Sequence, residues 1–129
     1  MSYSTKEIGA LGEQYAANYL RRRGYTVKER NRSFGKYEID IIATTLFDII
    51  FVEVKTRTCK KEEIEIAPPP KLAVNAEKQR FTRIAAQKYL YETHSKKQPR
   101  MDVIEVWLSP SENGKKPKAL KINHIKAAY

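Results

Sequence analysis

The sequence predicts an α/β fold in which helices flank a mixed β-sheet. Two stretches carry apolar residues at helical spacing, one near the amino terminus and one after position 75. Short runs dominated by apolar residues lie between and after them, as is typical of strands. The resulting order, α-β-β-β-α-β-β, favours a mixed sheet covered by helices. The length of 129 residues suits a single domain.

The first helix is predicted from about Ser4 to Arg23. Ser4 and Glu7 have the spacing of a capping box, in which each side chain bonds to the backbone of the other residue. Apolar residues follow at intervals of three and four, and arginines occupy the last turn, where cations suit the helix dipole. Gly24 is suited to the position that follows a helix end.

The sheet is predicted to begin with a strand over Tyr25–Arg30, which a basic loop over Asn31–Lys36 joins to a central hairpin. The hairpin has strands over 37–43 and 49–55 with a break at 44–48. Both strands are apolar runs interrupted by charged residues. This hairpin is the most informative part of the sequence, because buried charges are costly unless they have partners or a chemical role.

Alternation along the hairpin strands predicts which side chains meet. Successive side chains of a strand point to opposite faces, so Glu38, Asp40 and Ile42 should share one face. Glu53 and Lys55 should share a face of the second strand. If these faces match, Asp40, Glu53 and Lys55 form one patch. A cross-strand ion pair with Lys55 is the alternative explanation of the same residues.

The rest of the chain is predicted to contain a loop, a helix and two strands. Residues 58–74 read as a flexible loop, because three consecutive prolines exclude helix and ladder pairing. A helix follows from the N-cap Asn75 to about His94. Its expected apolar face consists of Phe81, Ile84, Ala85 and Tyr89. Strands over Arg100–Leu108 and Ala119–Ile125 complete the sheet, and residues 111–129 make a basic carboxyl-terminal end.

Charge and composition narrow the class of protein. The net charge of +10 favours nucleic acid, or less specifically another polyanion, as the partner. The single cysteine, Cys59, allows no disulfide within the chain, which fits a reducing compartment. No apolar run approaches the ~20 residues of a membrane helix, and the polar start lacks the apolar core of a signal peptide. We therefore expect a cytoplasmic protein with no membrane partner.

The acidic residues of the hairpin suit a divalent metal ion. Asp40 and Glu53 offer the hard oxygen ligands that Mg²⁺ or Mn²⁺ prefers, and the backbone carbonyl of Val54 is a further candidate ligand. A bound cation of this kind polarises a phosphoryl oxygen and activates water. Lys55 is suited to orient the attacking hydroxide or to stabilise charge in the transition state.

Three segments of the sequence carry a resemblance to known nucleases. They are residues 9–16, 38–43 and 51–57, with Asp40 followed by Glu53-Val54-Lys55. They resemble the PD-(D/E)XK pattern and the YraN-type family of predicted endonucleases, which is related in fold to archaeal Holliday-junction resolvases. The resemblance runs from about Gly9 to Val106 and implies a restriction-endonuclease-like core. Tyr37 departs from it, because the family typically has glycine there.

Three further side chains are candidates for the same site. Glu13 lies at the edge of the buried stripe of the first helix, and the resemblance gives it a role at the metal; an exposed helix glutamate is the alternative. Glu38 is either a supporting carboxylate or a solvated acid. For Lys78, the resemblance suggests a basic residue that faces the scissile phosphate, whereas a lysine at the rim of the apolar stripe is the alternative.

Flexible cations around the hairpin are candidates for contacts with DNA phosphates, which give salt-dependent and mostly sequence-independent binding. They are Arg30, Arg32, Lys36, Arg57, Lys60 and Lys61. Phe34 and Tyr37 are placed to touch the same substrate.

The sequence and the resemblance together predict a Mg²⁺- or Mn²⁺-dependent DNA endonuclease that hydrolyses phosphodiester bonds, with branched or otherwise structured DNA as a candidate substrate. Asp40 and Glu53 would bind metal, and Lys55 and Glu13 would assist. A homodimer is expected by analogy. One alternative is a nucleic-acid-binding protein that retains the fold without cutting. Another is an interaction module whose acids form structural ion pairs.

Overall fold

The computed structural model describes residues 3–66 and 74–129. It confirms the predicted fold class and element order, a five-stranded mixed sheet with two long helices. The elements are α1 (Thr5–Arg22), β1 (Thr26–Phe34), β2 (Tyr37–Thr44), β3 (Asp48–Thr58), a 3₁₀ helix (Lys61–Ile66), α2 (Ala76–Thr93), β4 (Gln98–Leu108) and β5 (Ala119–Ile125).

The strands lie side by side in chain order, from β1 to β5. β3 and β4 are parallel and the other neighbours are antiparallel. α2 belongs to the connection between the parallel strands, because such strands cannot be joined by a tight turn. α1 and α2 cover opposite faces of the sheet, since Val52 of β3 packs with α1 and Phe51 packs with α2. The central strands are therefore buried on both faces, which explains their nearly continuous apolar sequence.

α1 matches its prediction at both ends. The Ser4 backbone N–H donates to Glu7 Oε1 at 2.9 Å, and the Glu7 N–H donates to Ser4 Oγ at 3.1 Å. Gly24 follows the helix with a φ of +90°. Gly12 sets how closely α1 approaches β3, because a Cβ at this position would overlap the side chain of Thr56. The close approach brings the next residue, Glu13, to the sheet.

The predicted basic loop over Asn31–Lys36 is wrong. β1 continues to Phe34, and a tight turn at Gly35 and Lys36 leads directly into β2. β1 is the edge strand, and its residues between Lys28 and Ser33 are exposed or half-buried. Because an edge strand needs few apolar residues, its sequence lacks the pattern by which strands are recognised. Its pairing with β2 defines it instead.

The strict alternation predicted for β2 is also wrong. Ile39 and Ile42 both pack on the α2 side, whereas Ile41 packs on the α1 side. The two-residue period therefore slips at Asp40, and Asp40 and Ile42 do not occupy equivalent positions. The slip coincides with a change of pairing. Within the described chain, β2 pairs with β1 on both sides of Asp40, whereas its ladder with β3 begins only at Ile41 opposite Val52.

The second half of the fold agrees with the predicted element boundaries. Asn75 caps α2 by accepting the Lys78 N–H at 2.8 Å, and the helix ends at Thr93. β5 spans Ala119–Ile125, as predicted. Part of the predicted loop at 58–74 is regular, because Thr58 closes β3 and Lys61–Ile66 form the 3₁₀ helix. The three prolines lie outside the described residues.

The buried face of α2 differs from the prediction. It consists of Thr82, Ala85, Ala86 and Tyr89, whereas Ile84 is 41% exposed. Small residues allow the helix to lie close to the sheet, and the face is rotated relative to the predicted one. Phe81, at its edge, is half-buried and stacks on Tyr37.

A buried polar cluster that the sequence did not predict joins β4 to β5. Asp102 is fully buried and accepts bonds from the guanidinium of Arg100, from His124 Nε2 at 2.6 Å and from the Ala127 N–H at 3.0 Å. Burial alone would raise the pKa of Asp102, but these hydrogen bonds outweigh it, so the pKa lies below its usual value. His124 is therefore a structural residue of this cluster.

Candidate metal and nucleic-acid site

The predicted site residues of the hairpin border one cavity of about 690 Å³, which we call the acidic cavity. It lies where β2 and β3 separate, next to the first half of α1. Its charged lining residues are Lys6, Glu13, Glu38, Asp40, Glu53 and Lys55. The strands separate here because the β2–β3 ladder does not continue past Ile41 to Asp40. Side chains from both strands can reach the opening because no ladder fills it.

Where the two strands separate, the side chain of Asp40 takes the place of a backbone hydrogen bond between them. Its Oδ2 accepts the Val54 N–H at 2.8 Å, so the carboxylate holds β3 where backbone pairing has stopped. The N–H and C=O of one strand residue point to the same edge. The Val54 carbonyl, predicted as a metal ligand, is therefore directed to the edge on which Asp40 lies. Asp40 thus bridges the two strands through its side chain.

The acids of the cavity repel one another. Burial, and next the negative charge of Glu53, raise the pKa of Asp40 to about 7, although the Val54 N–H and Lys78 oppose this shift. Burial likewise raises the pKa of Glu13, with Glu38 and Glu53 adding to the rise and Arg30 opposing it. A cation in the cavity would relieve this repulsion, because it favours the charged form of every neighbouring carboxylate.

Glu53 lies between two lysines. One of its oxygens is 3.6 Å from Lys55 Nζ and the other is 3.6 Å from Lys78 Nζ. Only 13% of the Glu53 side chain is exposed, against 36% for Lys55 and 32% for Lys78. Lys78 reaches Glu53 from α2, on the opposite side of the sheet from α1. The structure therefore brings Lys78 to the predicted patch, where Glu53 partly compensates its charge.

Glu13 is held by Asn31, which is not among the site residues predicted from the sequence. With its amide nitrogen facing Glu13, Asn31 donates to the two carboxylate oxygens at 2.7 and 3.2 Å. Asn31 lies in β1 between Arg30 and Arg32, whose partners in β2 flank Asp40. Its φ is +52°, a left-handed conformation that asparagine tolerates better than most residues. Glu38 is exposed at the rim of the same cavity.

The donor set of the acidic cavity suits Mg²⁺ or Mn²⁺ better than a softer metal. It consists of carboxylate oxygens and a directed backbone carbonyl, without histidine or cysteine. Within the described residues, no three acidic, histidine or cysteine side chains are close enough together to form a metal-binding group. Mg²⁺ commonly needs only one or two carboxylates, because water and substrate phosphate complete its shell. Asp40 and Glu53, which both line the cavity, are two such carboxylates.

Lysines from two connections form a second cavity of about 490 Å³, which we call the lysine groove. The connection after β3 and the connection between β4 and β5 meet there, joined by a bond of 2.9 Å from the Cys59 N–H to the Leu108 carbonyl. Glu62 and Glu112 also line it. The lysines of the groove are Lys60, Lys61, Lys115, Lys116 and Lys118. In the sequence these lysines lie in two separate groups, one directly after β3 and one between β4 and β5.

The three arginines predicted to contact DNA make contacts within the protein. Arg30 donates to Gln14 Oε1 at 2.8 Å, and Arg32 pairs with Glu29 at 3.1 Å and Glu92 at 2.7 Å. Arg57 pairs with the buried carboxylate of Glu105 and lies over the ring of Trp107. By contrast, Lys36, Lys60 and Lys61 are exposed, and the described residues include no ion pair of theirs. The exposed lysines are therefore better placed for phosphate contacts than the arginines.

The described helices include none that is both long and apolar enough to cross a membrane.

Comparison with known proteins identifies the family. Residues 12–106 match the model of the uncharacterised protein family UPF0102. A UPF0102 protein of Caldanaerobacter subterraneus subsp. tengcongensis is 40% identical over 125 residues, which cover 96% of this chain and 95% of the relative. One from Alkaliphilus oremlandii is 39% identical over 127 residues, or 96% and 98% of the two chains. One from Chlorobium chlorochromatii is 40% identical over 126 residues, or 98% and 93%. The names of these relatives state no activity. The chain belongs to the uncharacterised protein family UPF0102.

Proposed function

We propose that this protein is a Mg²⁺- or Mn²⁺-dependent DNA endonuclease of the PD-(D/E)XK type. The observation that carries the proposal is the acidic cavity, in which Asp40 and Glu53 lie at the separation of two strands with Lys55 beside them. The resemblance of residues 9–16, 38–43 and 51–57 to nuclease segments supports the same assignment. The net charge of +10 supports a polyanionic substrate.

Asp40 and Glu53 would hold the metal ion, with the Val54 carbonyl as a further ligand. When bound, Mg²⁺ or Mn²⁺ polarises a phosphoryl oxygen and lowers the pKa of its water. Lys55 and Lys78 carry ammonium groups on either side of Glu53, and each is free to turn to a phosphate oxygen once a cation neutralises that carboxylate. Glu13, fixed by Asn31, orients water or a ligand at the α1 side of the cavity.

The lysine groove supports a long nucleic-acid substrate. β3 leads from one site towards the other. Thr56 lines the acidic cavity and Lys60 lines the lysine groove, and the four-residue step between them spans at most about 14 Å. Phosphates bound along this line would release counterions, so affinity should fall steeply with salt. Branched DNA as the preferred substrate, a homodimer and a cytoplasmic location remain predictions of this proposal.

Cleavage assays with matched variants test the proposal. Linear, nicked and four-way-junction DNA are incubated with purified protein in Mg²⁺, in Mn²⁺ and in EDTA. We expect cutting that requires the metal and disappears in Asp40→Asn and Lys55→Ala. Asp48→Asn is the matched control, because Asp48 lies on β3 outside the cavity and its side chain is 36% exposed. Equal cutting by Asp40→Asn and Asp48→Asn would contradict the assignment of Asp40 as a metal ligand.

One observation favours the alternative of a nucleic-acid-binding protein that does not cut. Glu53 is already paired with Lys55 and Lys78, so its charge is partly compensated without a metal. The binder predicts salt-dependent DNA binding that survives Asp40→Asn, with no cleavage of any substrate in either metal. Charge reversal in the lysine groove, Lys115→Glu with Lys116→Glu, should weaken DNA binding under both proposals. Cleavage alone distinguishes them.

A further inference from the structure

An aromatic groove of about 270 Å³ lies between the β1–β2 turn and α2, and its described lining shares no residue with the two cavities above. Phe34, Tyr37, Phe81 and Ile84 provide its apolar wall, and Lys36 and Lys88 contribute cations. Ile84 is 41% exposed and so leaves apolar surface open at the groove. The groove therefore offers an apolar surface within a positively charged rim.

Two aromatic rings in the groove stack on each other, and the side chain of a flexible cation lies near each ring. The Tyr37 and Phe81 rings lie 3.8 Å apart with an interplanar angle of 24°. Lys36 Nζ lies 5.4 Å from the centre of the Tyr37 ring, and Arg80 Cζ lies 6.0 Å from that of Phe81. Exposed contacts of this kind are weaker than the stacking of a nucleobase on an aromatic side chain. A base that displaced one of these cations would leave it free to pair with a phosphate.

The aromatic groove adjoins the acidic cavity. Tyr37 directly precedes Glu38, which lines the acidic cavity. A small gap of about 10 Å³ beside the rings is bordered by Glu38 and Lys78 together with Tyr37 and Phe81. Lys78 in turn contacts Glu53. A nucleic-acid strand with a phosphate at the acidic cavity would thus have a neighbouring base within reach of the rings.

We propose that the aromatic groove binds an unpaired base of the strand whose phosphate lies at the acidic cavity. The proposal rests on the nucleic-acid substrate of the proposed function and narrows it to DNA with unpaired nucleotides. In a continuous duplex the faces of the bases are covered by their neighbours, so the rings have nothing to stack on. The cations at the rim complement the phosphates that flank an unpaired base, which favours a nucleotide over an uncharged apolar ligand.

Binding without metal tests the groove separately from catalysis. Fluorescence anisotropy in EDTA measures the affinity of a labelled oligothymidine and of a matched duplex. Tyr37→Leu and Phe81→Leu keep an apolar side chain and remove the ring. Each should raise the Kd for the single strand by about tenfold, the effect of one lost stacked base, and leave the duplex Kd unchanged. Tyr37→Phe should bind like the original protein.

Tyr91→Leu is the matched control, because Tyr91 is an 83% exposed aromatic residue of α2 that does not line the groove. Far-ultraviolet circular dichroism checks that each variant folds. A 2-aminopurine base in the oligonucleotide reports stacking directly, and its fluorescence should be quenched by the original protein and not by the leucine variants. Equal single-strand affinities and equal quenching across all variants would overturn the proposal.

The binding and cleavage experiments together distinguish this inference from the proposed function. Ring-dependent binding of the single strand without cleavage in Mg²⁺ or Mn²⁺ would support the groove and contradict the endonuclease. Metal-dependent cutting with no effect of the ring substitutions would support the endonuclease and contradict the groove. If the original protein binds no single strand, the inference is wrong.

Discussion

Asp40 accepts a hydrogen bond from the Val54 N–H at 2.8 Å and thereby joins β2 to β3 at the point where their ladder ends. The bond is made by a side chain whose charge is unfavourable there, because burial and Glu53 raise the pKa of Asp40 to about 7. Asparagine keeps an oxygen that can accept the bond and removes the charge.

We therefore predict that Asp40→Asn stabilises the metal-free protein. An acid whose pKa rises from 3.8 to about 7 on folding binds its proton more tightly in the folded state. Its contribution to the free energy of unfolding thus falls as the pH rises from about 4 to about 7. Urea unfolding in EDTA should show Asp40→Asn more stable by up to about 4 kcal/mol at pH 8, with a smaller difference at pH 4. A less stable variant at pH 8 would contradict this account.

Gly12 and Gly9 provide a matched pair in α1. Gly12→Ala should destabilise the protein, because the new Cβ would overlap Thr56 and push the helix away from β3. We expect a loss of about 1–3 kcal/mol, as in other overpacked sites. Gly9→Ala should stabilise by up to about 1 kcal/mol, because no described atom outside the local helix lies within 4 Å of its Cβ and alanine favours a helix. Thermal unfolding followed by circular dichroism compares the two.

Arg57 is expected to stabilise the fold rather than to contribute mainly to DNA binding. Its guanidinium pairs with Glu105, of which 3% is exposed, so Arg57→Ala would leave a buried carboxylate without that partner. We predict a loss of about 1–3 kcal/mol in the free energy of unfolding. Lys60→Ala, at an exposed lysine, should change stability by less than about 0.5 kcal/mol. Equal stabilities of the two variants would contradict the structural role of Arg57.

Asp102 should make the protein sensitive to acid. Its pKa is lowered in the folded state, because hydrogen bonds from His124, Arg100 and Ala127 outweigh the effect of burial. Its stabilisation is thus present above the ordinary pKa of an aspartate and is lost as the pH falls through the lowered value. Asp102→Asn should cost about 3–5 kcal/mol at pH 7, and the difference from the original protein should shrink below about pH 4.

Asp48→Asn controls for the loss of a carboxylate near Arg100. The Asp48 carboxylate is 3.8 Å from Arg100 Nη1 and 36% exposed, so its loss should cost less than about 1 kcal/mol at any pH. Urea titrations at pH 3, 5 and 7 compare the two substitutions. The same pH dependence in both variants would show that the buried cluster has no special role.

Local signals made the helices predictable. The capping box of Ser4 and Glu7 and the cap at Asn75 involve residues three positions apart, so the sequence contains the whole interaction. β5 was likewise recognisable. The end of β1 was not, because its polar residues become a strand only by pairing with β2. Ile39 and Ile42 share a face for a similar reason, because strand pairing and not the local sequence decides which way each side chain points.

The candidate site was partly predictable for a similar reason. Asp40, Glu53 and Lys55 were identified because charges within apolar strands are conspicuous. Asn31 was missed because its partner, Glu13, is eighteen positions away and the residue looked like part of a loop. The cluster of Asp102 and His124 joins neighbouring strands, and isolated polar residues in apolar runs do not reveal their partners. Tertiary pairing decided each of these positions.

Along the chain, the residues that line the acidic cavity come before β4, the strand that supports β3. The described lining of the cavity lies between Thr5 and Thr56, so the amino-terminal part of the chain contains nearly every proposed catalytic group. β3, which carries Glu53 and Lys55, has its parallel partner in β4, more than forty residues later. During synthesis the acidic residues therefore emerge before the strand that fixes their positions. The proposed activity should appear only after the carboxyl-terminal strands have joined the sheet.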